Sequence, residues 1–116
     1  MRVLVCGGRD YRDIGAVFRE LNALHRATPI SALIEGGAHG ADELAALWAD
    51  NAKVSRERYA ADWKTHGKAA GPYRNATMIQ QGKPDLVVAF PGGRGTADMI
   101  ARAERAAVKV VRVARN

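Results

Sequence analysis

The chain has 116 residues, 47% of them hydrophobic, which is enough to bury the core of one domain and excludes a disordered segment. Its apolar runs are far shorter than the ~20 residues of a membrane-spanning helix, and its first residues lack the layout of a signal peptide. The net charge is +6, from 18 Lys and Arg against 12 Asp and Glu, which permits an anionic ligand or a nucleic acid as partner.

The positions of the basic residues and of the single cysteine indicate the surface, the core and the compartment of the protein. The basic residues are scattered along the chain rather than gathered in runs, so most of them are predicted to be solvated surface. The single cysteine, Cys6, ends an apolar strand and has no partner for an internal disulfide. We therefore expect Cys6 to be a small buried side chain and the protein to be cytoplasmic, with no membrane association.

The N-terminal part predicts a strand, a glycine turn and a helix. Residues 2–6 form an apolar strand pattern, which Gly7-Gly8-Arg9-Asp10-Tyr11 follows. Asp13 is expected to cap a helix that runs to about Arg26, where Thr28-Pro29 ends it. Spacing of i, i+3, i+4 and i+7 predicts that the core face of this helix consists of Ile14, Val17, Phe18, Leu21 and Leu24.

The same order recurs in the next stretch. Residues 31–35 form a strand pattern that ends in Glu35, and the glycine turn 36–40 leads into a predicted helix over residues 41–51. Residues 54–59 alternate in polarity and predict an edge-like third strand. The side chains that the second helix is expected to turn inwards are Leu44, Ala45, Leu47 and Trp48.

The second half of the chain supplies the remaining elements. Residues 62–72 are predicted to be a loop, and residues 73–81 a short helix. An apolar strand is expected over residues 85–90 and a fifth strand over residues 108–113, with an alanine-rich helix between them.

A third glycine turn, Pro91-Gly92-Gly93-Arg94-Gly95-Thr96, joins the fourth strand to that helix, which is predicted to run to about Ala107. Strand, glycine-rich turn and helix is the arrangement in which α/β proteins bind phosphate. Glycines let the backbone approach an anion closely, and the first N–H groups of a helix have no intrahelical partner. Thr96 is expected to cap the helix, with Asp98 in its first turn.

Alternation of strands and helices predicts an α/β fold, a Rossmann-like, doubly wound parallel sheet of five strands with order 3-2-1-4-5 and helices on both faces. Residues 1–116 are expected to form one such domain. Because strands one, two and four each end in a glycine turn, the three turns are predicted to meet at one edge of the sheet, where such folds bind ligands.

Ligand contacts are expected from the glycine turns and from arginines at the same edge. Arg74 stands beside Gly71-Pro72 and is predicted to clamp a phosphate rather than to lie on a helix surface. Arg9 and Arg94 sit inside glycine turns and are equally compatible with projection into solvent. The predicted ligand-binding residues are Gly7, Gly8, Arg9, Gly36, Gly37, Arg74, Asn75, Pro91, Gly92, Gly93, Arg94, Gly95 and Thr96.

Other residues near this edge have two interpretations each. Glu35 would be costly to bury unless it is paired or functional. Asp42 either begins a helix or contacts the ligand. Trp63 and Tyr11 have rings that could stack on a base, whereas a lid packed on the core explains Trp63 equally well. His39 has no metal-ligand partner at short spacing, so neither a metal nor a cofactor is predicted.

Several of these motifs together resemble the SLOG superfamily, a Rossmann-like group that includes the Lonely Guy phosphoribohydrolases and the DNA-processing protein A proteins. The matching segments resemble most closely its small, stand-alone bacterial and phage branch, the YspA/YpsA-related proteins. The resemblance implies binding of a nucleotide, a nucleotide-sugar or a ligand derived from NAD, such as ADP-ribose, and leaves a homodimer open. The segments that carry it are residues 7–11, 35–42, 61–63, 74–78 and 91–96.

The resemblance also permits a test of catalysis. The phosphoribohydrolases carry Pro-Gly-Gly-x-Gly-Thr-x-x-Glu, whose glutamate acts in cleaving the base–ribose bond. Counting from Pro91, that position is Met99 here, and Asp98 lies about 100° away around the helix. Their arginine-lysine pair corresponds to Arg74 and Asn75. No catalytic residue is assigned, and the candidates are Arg74, Glu35 and Asp98.

Three functional hypotheses follow. The first, favoured by the glycine turns and by the missing glutamate, is a binding module or sensor for a nucleotide-type small molecule. The second is a hydrolase of the N-glycosidic bond of a nucleotide, to which Arg74 and the predicted fold lend support. The third is a DNA-binding protein, which the basic charge permits and the scatter of the basic residues disfavours.

Overall fold

The computed structural model describes residues 1–115 and contains a five-stranded, fully parallel sheet with the strand order β3-β2-β1-β4-β5. This confirms the predicted α/β fold and its strand order. The strands are β1 (Arg2–Cys6), β2 (Ala32–Glu35), β3 (Ser55–Arg58), β4 (Leu86–Ala89) and β5 (Lys109–Arg112).

Five α-helices connect and flank the strands in the described part of the chain. As predicted, Asp13 caps the first helix, because its side chain accepts a hydrogen bond from the backbone N–H of Ala16, and the helix ends before Thr28. A short 3₁₀ turn at Gly67–Ala69 separates the third and fourth helices. The helices are α1 (Ile14–Ala27), α2 (Ala41–Ala52), α3 (Trp63–His66), α4 (Ala70–Gly82) and α5 (Arg94–Arg105).

The helices bury both faces of the sheet. Val3 and Val5 of β1 pack on one face against α1 and α2, where Trp48 is 1% exposed. The alternate strand residues Leu4 and Cys6 pack on the other face against α4 and α5. Since successive strand residues point to opposite faces, the nearly continuous apolar strands are what a sheet covered on both sides requires.

This winding fixes where a site can form. From β1 the chain moves outwards through β2 to the edge strand β3, and it then crosses back to β4 on the other side of β1. The loops that leave the carboxyl ends of β1 and β4 therefore diverge to opposite faces and open a crevice between them. The glycine turns after β1 and β4 border this crevice, and the turn after β2 lies next to it.

The region predicted as a loop over residues 62–72 is instead largely helical. Asp62 caps α3 by accepting a hydrogen bond from the N–H of Thr65 at 3.1 Å, and α4 already begins at Ala70. Gly71 and Pro72 lie in the first turn of α4, where a proline is tolerated because the backbone N–H that it lacks would have no partner there. Their presence therefore did not exclude a helix.

The register of α5 also differs from the prediction. The helix begins at Arg94 with Gly93 as its N-cap, so Thr96 is a buried residue of the first turn and does not cap the helix. On the first two helices, Ile14 and Leu47 were expected to face the core, but both are 45% exposed. On α2, Ala45 packs in the core as predicted, and Ala49 joins it there.

The membrane expectation rests on helix length and hydropathy. Within residues 1–115, the structure contains no helix that is both long enough and apolar enough to cross a bilayer.

Burial of Met99 generates the first testable prediction. Met99 is 0% exposed and lies among Leu4, Cys6 and Met78, so the change Met99→Glu would put a carboxylate into an apolar cluster. We expect this variant to lose on the order of 3–5 kcal/mol of stability, because the buried charge has no partner there. Chemical denaturation measures the loss, and Met99→Leu, which keeps the volume, should cost less than about 1.5 kcal/mol. Equal stability of the two variants would show that Met99 is not packed as described.

Candidate functional site

Gly8 joins the three glycine turns. Its N–H donates a hydrogen bond to the carbonyl of Pro91 at 2.9 Å, which links the loops after β1 and β4. Its carbonyl accepts hydrogen bonds from the N–H of Ala41 at 3.1 Å and of Tyr11 at 3.3 Å, which adds the start of α2. One residue therefore holds together the loops that follow β1, β2 and β4.

Two further glycines make this close approach feasible. Gly40 has φ of +76°, and a Cβ at this position would collide with the carbonyl of Gly8. A Cβ on Gly92 would collide with the side chain of Thr96 and crowd the N–H of Gly8. Gly40 of the second turn and Gly92 of the third turn are thus required by backbone packing, independently of any ligand.

A pocket of about 600 Å³ opens at this edge of the sheet. Its volume lies within the ~300–1,000 Å³ that small-molecule sites usually occupy. Val5 and Cys6 of β1 belong to its wall, together with residues of α2, α4 and α5. The residues from the predicted site and catalytic sets that line it are Gly7, Gly8, Arg9, Arg74, Asn75, Gly93, Arg94, Gly95, Thr96 and Asp98.

The other predicted ligand-binding residues lie beside this pocket. Gly36 and Gly37 line an adjoining cavity of about 420 Å³, which shares Arg9, Trp63 and Arg74 with the main pocket. Pro91 and Gly92 line a smaller cavity of about 190 Å³ that also contacts Gly93 and Thr96. The predicted residues therefore surround one edge of the sheet, and most of them share one pocket.

The first turn of α5 is the part of the pocket best suited to an anion. The first hydrogen bond at this end of the helix runs from the N–H of Ala97 to the carbonyl of Gly93, at 3.0 Å. Helix geometry therefore leaves the N–H groups of Arg94, Gly95 and Thr96 without an intrahelical acceptor, at the positive end of the helix dipole. A Cβ added to Gly95 would meet no atom within 4 Å, so the space in front of this turn is open.

Arg74 is held between two elements. Its Nη1 donates to the carbonyl of Gly36 at 2.6 Å, and its Nε donates to Oδ1 of Asn75 at 3.0 Å. Burial lowers the pKa of Arg74 from its ordinary value, yet a guanidinium remains charged at any physiological pH. A fixed, half-buried positive charge therefore borders both the main pocket and the adjoining cavity.

An aromatic ring and a second guanidinium form the boundary between the two cavities. The Cζ of Arg9 lies 5.3 Å from the centroid of the Trp63 ring, within the range of a cation–π contact. Trp63 is 49% exposed although it lines both cavities. The ring is therefore not a core side chain, and about half of the residue is exposed although Arg9 lies over the ring.

Asp98 places a carboxylate in the pocket. Its Oδ2 accepts hydrogen bonds from Nδ2 of Asn75 at 3.0 Å and from Nε of Arg102 at 2.8 Å. Burial raises the pKa of Asp98, but the hydrogen bonds from Arg102 and Asn75 outweigh this effect, so the pKa lies below its ordinary value. The residue beside the motif position thus reaches the pocket, whereas Met99 at the motif position lies in the core.

Asp42 is the second carboxylate that lines the pocket. It is only 7% exposed, and its Oδ2 accepts hydrogen bonds from the N–H groups of Gly36 and Ala38, both at 3.1 Å. Burial raises the pKa of Asp42 to about 6, against the opposing effect of these hydrogen bonds. Asp42 thus organises the second glycine turn and also faces the pocket.

Glu35 has different surroundings. It is 0% exposed and pairs with Nε of Arg58 at 2.8 Å and, more distantly, with Nη1 of Arg56 at 3.8 Å. The N–H of Gly37 donates to its other oxygen. The pairing that a buried carboxylate needs is therefore supplied by the edge strand β3 and the second glycine turn, and Glu35 does not line the main pocket.

Three other residues considered in the sequence analysis, Cys6, His39 and Tyr11, have no catalytic or metal-binding arrangement in the described residues. Cys6 lines the pocket, but burial raises the pKa of its thiol to about 12, so it is not a thiolate at neutral pH. His39 pairs with Glu43 at 3.3 Å on the surface. Within residues 1–115, no group of three or more His, Cys, Asp or Glu side chains is arranged to hold a metal. Tyr11 is buried against Phe90, with ring centroids 5.4 Å apart.

Some pocket residues were outside the predicted set. Lys68, Gly71 and Pro72 line the pocket because the segment interpreted as a loop folds over it as a 3₁₀ turn and the start of α4. Met78 lines it from α4, two turns further on. The one available signal was the cap at Asp62, three residues before Thr65, which indicates a helix start inside that segment.

The raised pKa of Asp42 has a measurable consequence for stability. Its folded-state pKa of about 6 exceeds the ordinary value of 3.8, so the folded protein binds more protons than the unfolded chain between these values. The contribution of Asp42 to stability is therefore lost as the pH rises through this window. In the variant Asp42→Asn, the amide oxygen can keep both backbone hydrogen bonds without a charge.

We expect Asp42→Asn to be more stable than the original protein by on the order of 2–3 kcal/mol at pH 8 and nearly equal to it at pH 4. Thermal denaturation of both proteins at the two pH values measures the difference in stability between them. The effects of the other titrating groups cancel to first order, because both proteins share those groups. A difference that does not change with pH would contradict the buried position of this carboxylate.

Comparison with known proteins identifies the family of this chain. The model of the YspA, cpYpsA-related SLOG family matches residues 1–66, which include the first two glycine turns. The chain is also 38% identical to the "Gene 61 protein" of Mycobacterium phage D29 over 118 residues, which cover 95% of this chain and 94% of that protein. The chain therefore belongs to the YspA, cpYpsA-related SLOG family.

Proposed function

We infer that the protein binds a nucleotide-type small molecule in the 600 Å³ pocket, with a phosphate at the first turn of α5. Membership of the SLOG family suggests a nucleotide-related binding or modifying role. The observation that carries the proposal is the convergence of the open helix N-terminus, Arg74 and Arg9 on one pocket. The proposed role is that of a binding module or sensor.

The phosphate end follows from electrostatics. Backbone N–H groups at a helix N-terminus and fixed guanidinium groups are the donors that bind phosphate most strongly in proteins. Arg94 and Lys68 add two further cationic side chains to the same pocket. A nucleotide-sugar or ADP-ribose, which carries two phosphates, could use the adjoining cavity as well, since Arg9 and Arg74 border both spaces.

The base end follows from the aromatic rim. Trp63 offers a large exposed ring beside the guanidinium of Arg9, and base–aromatic stacking contributes about 1–3 kcal/mol. Stacking tolerates any base, so Trp63 supplies affinity without choosing the base. These features favour a ligand that combines a phosphate with a flat ring.

A concave pocket supports a small molecule better than DNA. Several of the exposed basic residues are already neutralised by ion pairs, such as Arg112 with Glu104 and Arg56 with Asp50. The described surface thus offers the DNA backbone a dispersed set of cations. Binding to duplex DNA would show itself as an affinity that falls steeply with salt concentration, because phosphate contacts release counterions.

The change Gly95→Val tests the phosphate position. Gly95 is the second residue of α5, where a side chain meets no protein atom within 4 Å and would cover the N–H groups that face the pocket. We expect affinity for AMP or ADP-ribose to fall at least about tenfold, since each charge-assisted hydrogen bond contributes about 1.5–3 kcal/mol. Isothermal titration calorimetry measures the affinity.

Gly15→Val is the matched control. Gly15 is likewise the second residue of its helix, α1, and a side chain there would meet only ordinary contacts outside the pocket. We expect this variant to bind as the original protein does, and both variants to melt cooperatively. Undiminished binding by folded Gly95→Val would place the ligand elsewhere.

A second candidate function, hydrolysis of the N-glycosidic bond, is favoured by one observation. Asp98 lines the pocket as an ionised carboxylate, so a carboxylate is present although the motif position holds Met99. Such a group could accept a proton from water as the water attacks the sugar carbon and the base departs. A positioned base typically contributes about 10²–10⁴-fold to the rate.

Chromatography of free base released from AMP distinguishes the two candidates. As a binding module, the protein should release no appreciable adenine. Turnover that is lost in Asp98→Asn and kept in Asp13→Asn, a cap variant on α1, would establish the hydrolase instead. Turnover that survives in Asp98→Asn would exclude Asp98 as its base.

A further inference from the structure

The N–H donors at the first turn of α5 and the carboxylate of Asp42 lie on different sides of β1. The first turn of α5 follows β4, and Asp42 in the first turn of α2 follows β2. Since β2 and β4 flank β1, these two groups are separated by about two strand spacings, roughly 10 Å. A ligand bound at the α5 turn therefore meets Asp42 with a different part of its structure.

One oxygen of Asp42 is open to that ligand. Both backbone hydrogen bonds to this carboxylate end on Oδ2. Among residues 1–115, no side-chain oxygen that is sealed from solvent lacks a hydrogen-bond partner. Oδ1 of Asp42, which has no protein donor in the same range, is therefore accessible, and the only cavity of those described that Asp42 lines is the main pocket.

The nearby cation does not occupy this oxygen. The guanidinium of Arg74 acts on Asp42 electrostatically, but its Nη1 and Nε are engaged with Gly36 and Asn75. In the described residues, the two side chains form no ion pair within 4.0 Å. A carboxylate with little exposure at the wall of a pocket repels phosphate, and its unpaired oxygen favours a hydrogen-bond donor from the ligand.

We propose that Oδ1 of Asp42 accepts a hydrogen bond from a sugar hydroxyl of the ligand, so that the pocket selects ribonucleotides over deoxyribonucleotides. This inference rests on the proposed function. A phosphate and a pentose, with one hydrogen bond at each end, fit the separation between the α5 turn and Asp42. Trp63 lies at the exposed rim, where the base would stack, which leaves the sugar as the part that reaches the buried carboxylate.

Calorimetry with AMP, 2′-deoxy-AMP, 3′-deoxy-AMP and IMP at pH 7.5 tests the proposal. We expect the original protein to bind AMP about ten- to hundred-fold more tightly than at least one deoxy analogue, since a hydrogen bond to a charged group has been lost. IMP, which keeps both hydroxyls but lacks the exocyclic amine, should bind like AMP. Asp42→Asn should reduce the preference for AMP to about threefold or less, and Asp13→Asn, outside the pocket, should retain it.

Each outcome is decisive. Equal binding of AMP and both deoxy analogues by the original protein would overturn the proposal and leave the proposed function intact, and this comparison needs no variant. A preference for AMP over IMP instead would identify the base amine as the donor and overturn the sugar assignment. An undiminished preference in Asp42→Asn would exclude a hydrogen bond from the ligand to the charged carboxylate of Asp42, because the amide Nδ2 that replaces Oδ1 can only donate to the hydroxyl. If neither these four nucleotides nor ADP-ribose binds, the proposed function fails, and this inference fails with it.

Discussion

The hydrogen bonds of Gly8 are the constraint on which the site depends. Its N–H bonds to the loop after β4, and its carbonyl bonds to the start of α2. The loops that follow β1, β2 and β4 therefore meet at one point of the sheet edge. Gly40 and Gly92 have no Cβ where these backbones meet. Because these loops are hydrogen-bonded to one another, the N-termini of α2 and α5 converge on one pocket. The donors that we propose for a phosphate are therefore preorganised in the structure.

Ion pairs with arginines hold two of the carboxylates at this edge of the sheet, Glu35 and Asp98. Glu35 is fully buried by Arg58 and Arg56, and the ion pair of Arg102 with Asp98 fixes one oxygen of a pocket carboxylate. Asp42 has no such cation within ion-pair distance, and burial raises its pKa to about 6. Asp42 therefore combines a structural role, its hydrogen bonds to the second glycine turn, with a position in the pocket that makes it a candidate for ligand contact.

Much of this arrangement was predictable from the sequence. Alternation of strands and helices predicts the doubly wound sheet and its order. The glycine turns after strands one, two and four then place Gly7, Gly8, Arg9, Gly93 and Gly95 at one edge. The start of α5 was harder to predict, because its N-cap is Gly93, three residues before Thr96. Met99 and Ala103, spaced i and i+4, pack on the sheet and thereby turn Asp98 and Arg102 towards the pocket side. The helices over residues 63–82 were partly missed because Gly71 and Pro72 obey different rules in a first turn.

The central claim is that a nucleotide phosphate binds at the first turn of α5. Titration of the ¹⁵N-labelled protein with AMP, followed by amide NMR, tests it most directly. We expect the largest shifts at the N–H groups of Arg94, Gly95 and Thr96, with little change at Gly15 on α1, because these three amides are the donors that the helix leaves open. Saturable shifts confined to other amides, such as those around Arg105 at the end of α5, would contradict the claim.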